Sequence, residues 1–238
     1  MSELVVRASF DEAIFGVPFF RLTDPAADGV EAVFRAAVAP HPDAMADARA
    51  SVHDRDTHRH LLGLDFHRVC TQVTLAAPPS SAAADQDVTQ AERWPLSEDA
   101  VALHAAGFRS SRFGQDPHTP TQLAERWIAT WLTNSVTGRR RVLAIGPDVI
   151  TYAPPDSDGV LVVDLVSVIR KRRGHGRKLV DHLRGLAGRI GASEVRVTTE
   201  AENMPAQRLY IGAGFVPVDA RACFHFASRP SRATLQLD

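Results

Sequence analysis

The clearest hydrophobic pattern lies late in the chain. In HGRKLVDHLRGLAGRIG (175 to 191), Leu179, Val180, Leu183, Leu186 and Ile190 recur at i, i+1, i+4, i+7 and i+11, which predicts a helix with one buried face. Immediately before it, GVLVVDLVSV (159 to 168) is a β-rich apolar run, and RRVLAIG (140 to 146) and DVITYA (148 to 153) are two more, each bounded by turn residues. SEVRVTT (193 to 199) predicts a further strand, NMPAQRLYIGAG (203 to 214) a helix, and FVPVDARACFHF (215 to 226) the start of another strand. Strands alternating with helices imply an α/β fold with a mixed, twisted sheet covered by helices.

The first half is less regular. GVEAVFRAAVA (29 to 39) has helical spacing, VTLAA (73 to 77) reads as the end of a strand, and residues 40 to 60 favour a helix only weakly. APPSSAAADQD (77 to 87) has no apolar period and predicts a linker. It divides a smaller N-terminal α/β region, 1 to 80, from a larger domain, 85 to 238. Beyond it, SEDAVALHAAGF predicts a short capped helix. In TPTQLAERWIATWLTNSVTG, Thr121 can cap a helix whose stripe is Leu123, Trp127, Ile128, Trp131 and Leu132.

Charge narrows the function. The 238 residues carry a net charge of −1, so broad polyanion binding, including nucleic acid, is not expected. Yet KRRGHGRKLV (171 to 180) holds five of the 27 lysines and arginines. A glycine loop between a strand and a helix leaves the first helical amides unpaired, which makes an anion site. Arg172, Arg173, Arg177 and Lys178 add positive charge around it. The nucleoside-triphosphate loop and the dinucleotide fingerprint are both absent, the latter because position 179 is Leu. Cys70 and Cys223 sit in apolar stretches and read as buried thiols, with no disulfide framework or metal-ligand spacing. No signal peptide or bilayer-spanning run is visible, so a cytoplasmic protein without membrane attachment or bound metal is expected.

At this point VSVIRKRRGHGRKLV resembles the acetyl-coenzyme A loop of the GNAT N-acetyltransferases, with Lys171 where the family has Arg or Gln. ENMPAQRLYIGAGF is similar to the family's second motif through Asn203, Ala206, Tyr210, Gly214 and Phe215. The resemblance implies a strand ending near Val168 that splays from one ending near Thr199. It implies acetyl-coenzyme A as co-substrate, its pantetheine arm pairing with Val166 and Val168 and touching Asn203 and Ala206. Its pyrophosphate would meet residues 172 to 177, including Gly174, His175 and Gly176. Tyr210 would serve the leaving thiolate or, alternatively, pack structurally; Asn203 is equally readable as a helix cap. Asp164 and Glu200 are the candidate bases, relaying the amine proton through water. His182 is expected on the exposed side of its helix.

A narrower resemblance joins FDEAIFGVPFFRL (10 to 22), LGLDFHRVCTQVTLAAP (62 to 78) and FRSSRFGQDPHTP with RWIATWLTNSVTG (108 to 138). In that order they are similar to nucleotide-sugar acetyltransferases typified by TDP-fucosamine N-acetyltransferase, which implies a dTDP-linked 4-amino-4,6-dideoxygalactose as acceptor. Arg112 would then pair with the diphosphate and Phe113 stack on base or sugar, with a structural ion pair as the other reading of Arg112. The N-terminal region is readable as a degenerate acetyltransferase half, and the family leaves room for a homodimer. A free amino acid, polyamine or antibiotic amine remains the alternative acceptor. A non-catalytic acyl-coenzyme A binding module is the alternative to an enzyme.

Overall fold

The computed structural model describes residues 3–228; the tail from 229 on, where no resemblance was found, lies outside the described residues. The N-terminal stretch forms β1 (Val5–Arg7), α1 (Ser9–Phe15), β2 (Phe19–Leu22), α2 (Val30–Val38) and β3 (Met45–Ser51). Then follow α3 (Arg55–Gly63), β4 (His67–Ala77), β5 (Thr89–Ala91), α4 (Glu98–Gly107), α5 (Arg112–Gln115) and α6 (Thr121–Asn134). A π-type turn, Ser135–Arg139, leads into β6 (Arg141–Ile145), β7 (Asp148–Ala153) and β8 (Val160–Ser167). The chain closes with α7 (His175–Arg189), β9 (Glu194–Glu200), α8 (Met204–Gly212) and β10 (Val216–Ala227).

Residues 40 to 60, expected to favour a helix, hold β3 and reach helix only from Arg55, where α3 begins. In MADARAS, Ala46, Ala48 and Ala50 alternate inward among the buried residues around Phe34 and Phe224. Alanine favours helix by itself, but β3 pairs parallel with β2 and antiparallel with β10, and that pairing overrides local preference.

The chain divides into two compact units, and not at the expected linker. Unit 1 comprises 1–72, 110–127 and 220–238; unit 2 comprises 73–109 and 128–219. Unit 1 collects these distant segments because they pair: Cys223 lies opposite Arg49 in the β3–β10 register, and Asp116 binds His225. Within unit 1 the strand order runs β1-β2-β3-β10, and within unit 2 it runs β9-β8-β7-β6-β5.

The expected linker is no linker. Residues 78–87 lie along α7 in unit 2. The backbone N–H of Ser80 donates to Arg184 O at 3.0 Å, Arg184 donates to Pro78 O, and the N–H of Asp85 donates to His182 Nδ1 at 3.1 Å. The small side of α7 admits this strap. A Cβ on Gly185 would fall 2.6 Å or less from a backbone oxygen of the strap, and so would one on Gly188. His182 is therefore buried, not exposed as expected, and burial lowers its pKa.

The opposite face of α7 packs as its spacing predicts. Leu179, Val180, Leu183 and Leu186 are all buried in one cluster with Leu161, Val163, Val195 and Val197. Each such side chain contributes about 1.5–3 kcal/mol. Ile190, expected on the same face, lies past the last helical residue and is 47% exposed.

Candidate active site

The site is built where β8 leaves β9. The two strands run parallel in register from Val160↔Glu194 to Val163↔Val197, and the pairing stops there. Asp164–Ser167 of β8 therefore have no register partner on β9, and the strands open as the motif requires. On the other edge of β8, Tyr152 faces Val163 and Thr151 faces Leu165, so Asp164 is the extra residue of a β-bulge. The bulge inverts the side-chain alternation. Val163 joins the α7-facing cluster, whereas Leu165 joins the cluster of Leu132, Val136 and Val149.

The Asp164 carboxylate does not face the opening unencumbered. It accepts from Ser135 Oγ at 2.7 Å and Thr151 Oγ1 at 3.2 Å, and pairs with Arg140 at 3.2 Å. This carboxylate, a candidate base from the sequence, is thus held in an ion pair and two hydrogen bonds. Its three partners tie the bulge to β7 and to the turn after α6.

Beyond β8 the chain makes the loop into α7. Gly174 is the residue before the first helical turn, with φ +76 and open space where a Cβ would stand, so the left-handed turn is what demands glycine there. Gly176 serves differently. A Cβ on it would meet Leu209 at 3.3 Å and Val168 at 3.5 Å, so it lets α7 pack closely on α8 and the strand end. Arg172 adopts φ +62, unusual for a residue with a side chain.

The basic residues divide into two sets. Lys171, Arg172 and Arg173 are exposed and form no ion pair among the described residues. Lys178 and Arg177, expected to be mobile charges around the loop, are engaged: Lys178 with Asp85 and Asp87, Arg177 with Asp181 at 2.5 Å and Gly212 O at 2.7 Å. His175, expected on the coenzyme, holds Asp148 through Nδ1 at 2.6 Å.

Tyr210 lies in α8, buried to 4% exposure, with Phe215 beside it at 5.8 Å between ring centroids. Burial pushes its phenol well above the ordinary value, and the negative charge of Glu200 pushes it further. Glu200 and Tyr210 are thus brought together electrostatically, and the phenol stays protonated across the neutral range. Asn203 is the cap of α8, its Oδ1 accepting from the N–H of Ala206 at 3.3 Å. The 640 Å³ cavity of unit 2 lies elsewhere, walled by Gln90, Arg141, Tyr152, Leu186 and Ile190, and holds none of these motif residues.

Arg112 and Phe113 belong to unit 1 and are not on a surface. Arg112 is 5% exposed and pairs with Asp11 and Asp47; Phe113 is fully buried beside Phe15, Phe19 and Trp127. Arg21 shares the same two carboxylates. The expected contacts to a diphosphate and a base are replaced by the other reading, a structural ion pair. Sequence reasoning could not see Asp11 and Asp47 as its partners, because they stand 101 and 65 positions away.

A second constellation in unit 1 was also missed. Asp116 accepts from His67 Nε2 at 3.0 Å and His225 Nδ1 at 2.7 Å, and from the N–H of His118 and the hydroxyl of Thr119. His67, Asp116 and His225 offer ligand atoms within 4.8 Å of one another. Both carboxylate oxygens are satisfied by these donors, whereas the buried Nε2 of His225 has no hydrogen-bond partner among the described residues.

Residues 149–215 match the Acetyltransferase (GNAT) family. That segment holds the bulged strand, the glycine loop, α7, β9 and α8, and the family's members use acetyl-coenzyme A. Among solved structures, the GCN5-related N-acetyltransferase from Sphaerobacter thermophilus is similar at TM-score 0.57 and 15% identity, covering 95% of this chain and 76% of that one. A putative GNAT-family acetyltransferase from Novosphingobium aromaticivorans is similar at 0.54 and 16%, covering 96% and 91%. A tandem GNAT protein from the clavulanic acid biosynthesis pathway is similar at 0.53 and 14%, covering 91% and 77%. No curated protein matches the chain by sequence. The fold is the mixed α/β fold of GNAT acetyltransferases. No helix among the described residues is long and apolar enough to cross a membrane.

Proposed function

We propose that this chain is an N-acetyltransferase that moves the acetyl group of acetyl-coenzyme A to an amine, with a nucleotide-linked amino-dideoxy sugar, dTDP-linked, as acceptor. The observation that carries acetyl transfer is the opening of β8 from β9 after Val163↔Val197, directly ahead of a left-handed glycine at the start of α7. The unpaired edge at Val166 and Val168 suits a pantetheine amide chain. The loop amides of 172–177, with the unpaired Arg172 and Arg173, suit the pyrophosphate.

In this reading a neutral amine attacks the thioester carbonyl directly. Its proton passes through water to Glu200, and backbone N–H groups at the opening hold the oxyanion. When the carbon–sulfur bond breaks, the protonated phenol of Tyr210 donates to the departing thiolate. Asp164 holds the bulge and its backbone in place, and Asn203 and Ala206 shape the start of α8 beside the arm. The ordered resemblance of residues 10–22, 62–78 and 108–138 supports the nucleotide sugar. The similarity to a tandem GNAT protein supports unit 1 as a degenerate acetyltransferase half.

A specific observation favours a second acceptor, a free amine. Arg112 and Phe113, the residues that would have met the nucleotide, are buried and occupied. Thiol release from acetyl-coenzyme A against both acceptor sets separates the two readings. Saturable turnover confined to nucleotide-linked amino sugars supports the first, and turnover confined to free amines supports the second. Coenzyme binding without turnover of any amine would leave only an acyl-coenzyme A binding module.

A further inference from the structure

Asp148, the first residue of β7, is fully buried and carries no role in the motif. Its Oδ1 accepts the backbone N–H of Ile169 at 2.8 Å and of Arg170 at 3.1 Å. Its Oδ2 accepts Arg170 Nε at 3.1 Å and His175 Nδ1 at 2.6 Å. One carboxylate thus fastens the entry of the glycine loop and its exit, the first residue of α7. Beside it, buried His104 receives the hydroxyl of Ser167 on Nδ1 at 2.5 Å and donates from Nε2 to Pro147 O at 2.9 Å. This fixes the end of β8 and the turn that carries Asp148.

We propose that Asp148 is a positioning residue that holds the 169–175 loop in the shape its anion-binding amides need. It touches no substrate and acts through the loop; the consequence for coenzyme affinity rests on the acetyl-coenzyme A reading above. Four donors converge on it, two of them backbone amides of the loop itself. A loop closed in advance loses less freedom when an anion binds, so its amides bind more tightly than those of an open loop.

The test uses Asp148→Asn and the milder Arg170→Gln, with two readouts on the full chain: calorimetric binding of coenzyme A, and hydrogen exchange of backbone amides without ligand. The asparagine keeps the volume but turns an N–H₂ group toward at least one donor. We expect exchange in 169–176 to rise about tenfold, with β9 and the middle of α7 unchanged, and the dissociation constant of coenzyme A to rise about tenfold. Arg170→Gln should move both readouts in the same direction by about threefold, and it decides the matter alone if Asp148→Asn does not fold. Unchanged loop exchange in a folded variant overturns the inference. So does faster exchange throughout unit 2, which would make Asp148 a general stabiliser. A wild-type chain that does not bind coenzyme A sinks the acetyltransferase reading, while the exchange data still judge the fastening of the loop.

Discussion

The guanidinium of Arg112 lies over the ring of the next residue, Phe113, 4.4 Å from its centroid, while its N–H groups reach Asp11 and Asp47. A cation so placed is closed off by aromatic packing on one side and carboxylates on the other. Replacing it by Leu removes the buried cation and leaves Arg21 as the cation shared by Asp11 and Asp47, which should destabilise unit 1 by up to about 3–5 kcal/mol. Urea unfolding of Arg112→Leu checks this. Unchanged stability with a raised Michaelis constant for the acceptor would restore Arg112 to substrate binding.

Tyr210 gives a prediction with a sign in pH. Because burial and Glu200 raise its pKa, the phenol stays protonated through and beyond the ordinary value near 10. The turnover number should therefore show no descending limb between pH 8 and about 10. Tyr210→Phe should lower kcat about a hundredfold and leave the Michaelis constant for acetyl-coenzyme A nearly unchanged. A limb near 10 that vanishes in Tyr210→Phe would show a phenol in contact with water.

Acid stability should fall in two stages. Burial lowers the pKa of His104, His182 and His225, so the stability of their neutral forms is present above about 6.5 and is lost as pH falls below it. Burial pushes Asp47, Asp116 and Asp148 upward. It is outweighed at Asp47 by Arg112 and Arg21, at Asp116 by His225 and His67, and at Asp148 by His175 and the loop amides. Their folded values lie below the usual carboxylate range, so their contribution is present above about 4 and is lost below it. Urea midpoints measured from pH 8 to 3 should decline gently first and steeply afterwards. A flat profile down to pH 3 would refute the assignment.

Gly185 and Gly188 set helix propensity against packing. On an exposed helix, replacing Gly by Ala stabilises by about 1 kcal/mol. Here the new methyl would strike backbone oxygens of Ala82 and Ser80, so Gly185→Ala should destabilise by about 1–3 kcal/mol and loosen the strap. Thermal unfolding, with limited proteolysis at 79–87, reads both effects. A stabilised Gly185→Ala with an uncut strap would show that the strap yields easily.

What the sequence disclosed follows from the range of the interactions. The β8–loop–α7 passage was legible because apolar period, glycine placement and motif spacing all act within a few residues, and they agree. Asn203 as the cap of α8 and the buried cysteines were legible for the same reason. β3 was not, since alanines alternating with Asp47 and Arg49 make a strand only when β2 and β10 stand beside them. The strap was read as a linker because Pro, Ser and Ala look the same free or seated on glycines. Arg112, Asp148 and Asp116 drew their meaning from partners far along the chain, which no local pattern marks.

The interleaving of unit 1 bears on how the protein is made. Synthesis delivers β1, β2 and β3 first, yet β3 must await Ala220 and the residues after it for its second neighbour, and Asp116 must await His225. Unit 2 is whole once residue 219 has emerged. The half that begins the chain is therefore the last to be completed, and until then β3 lacks its second neighbour.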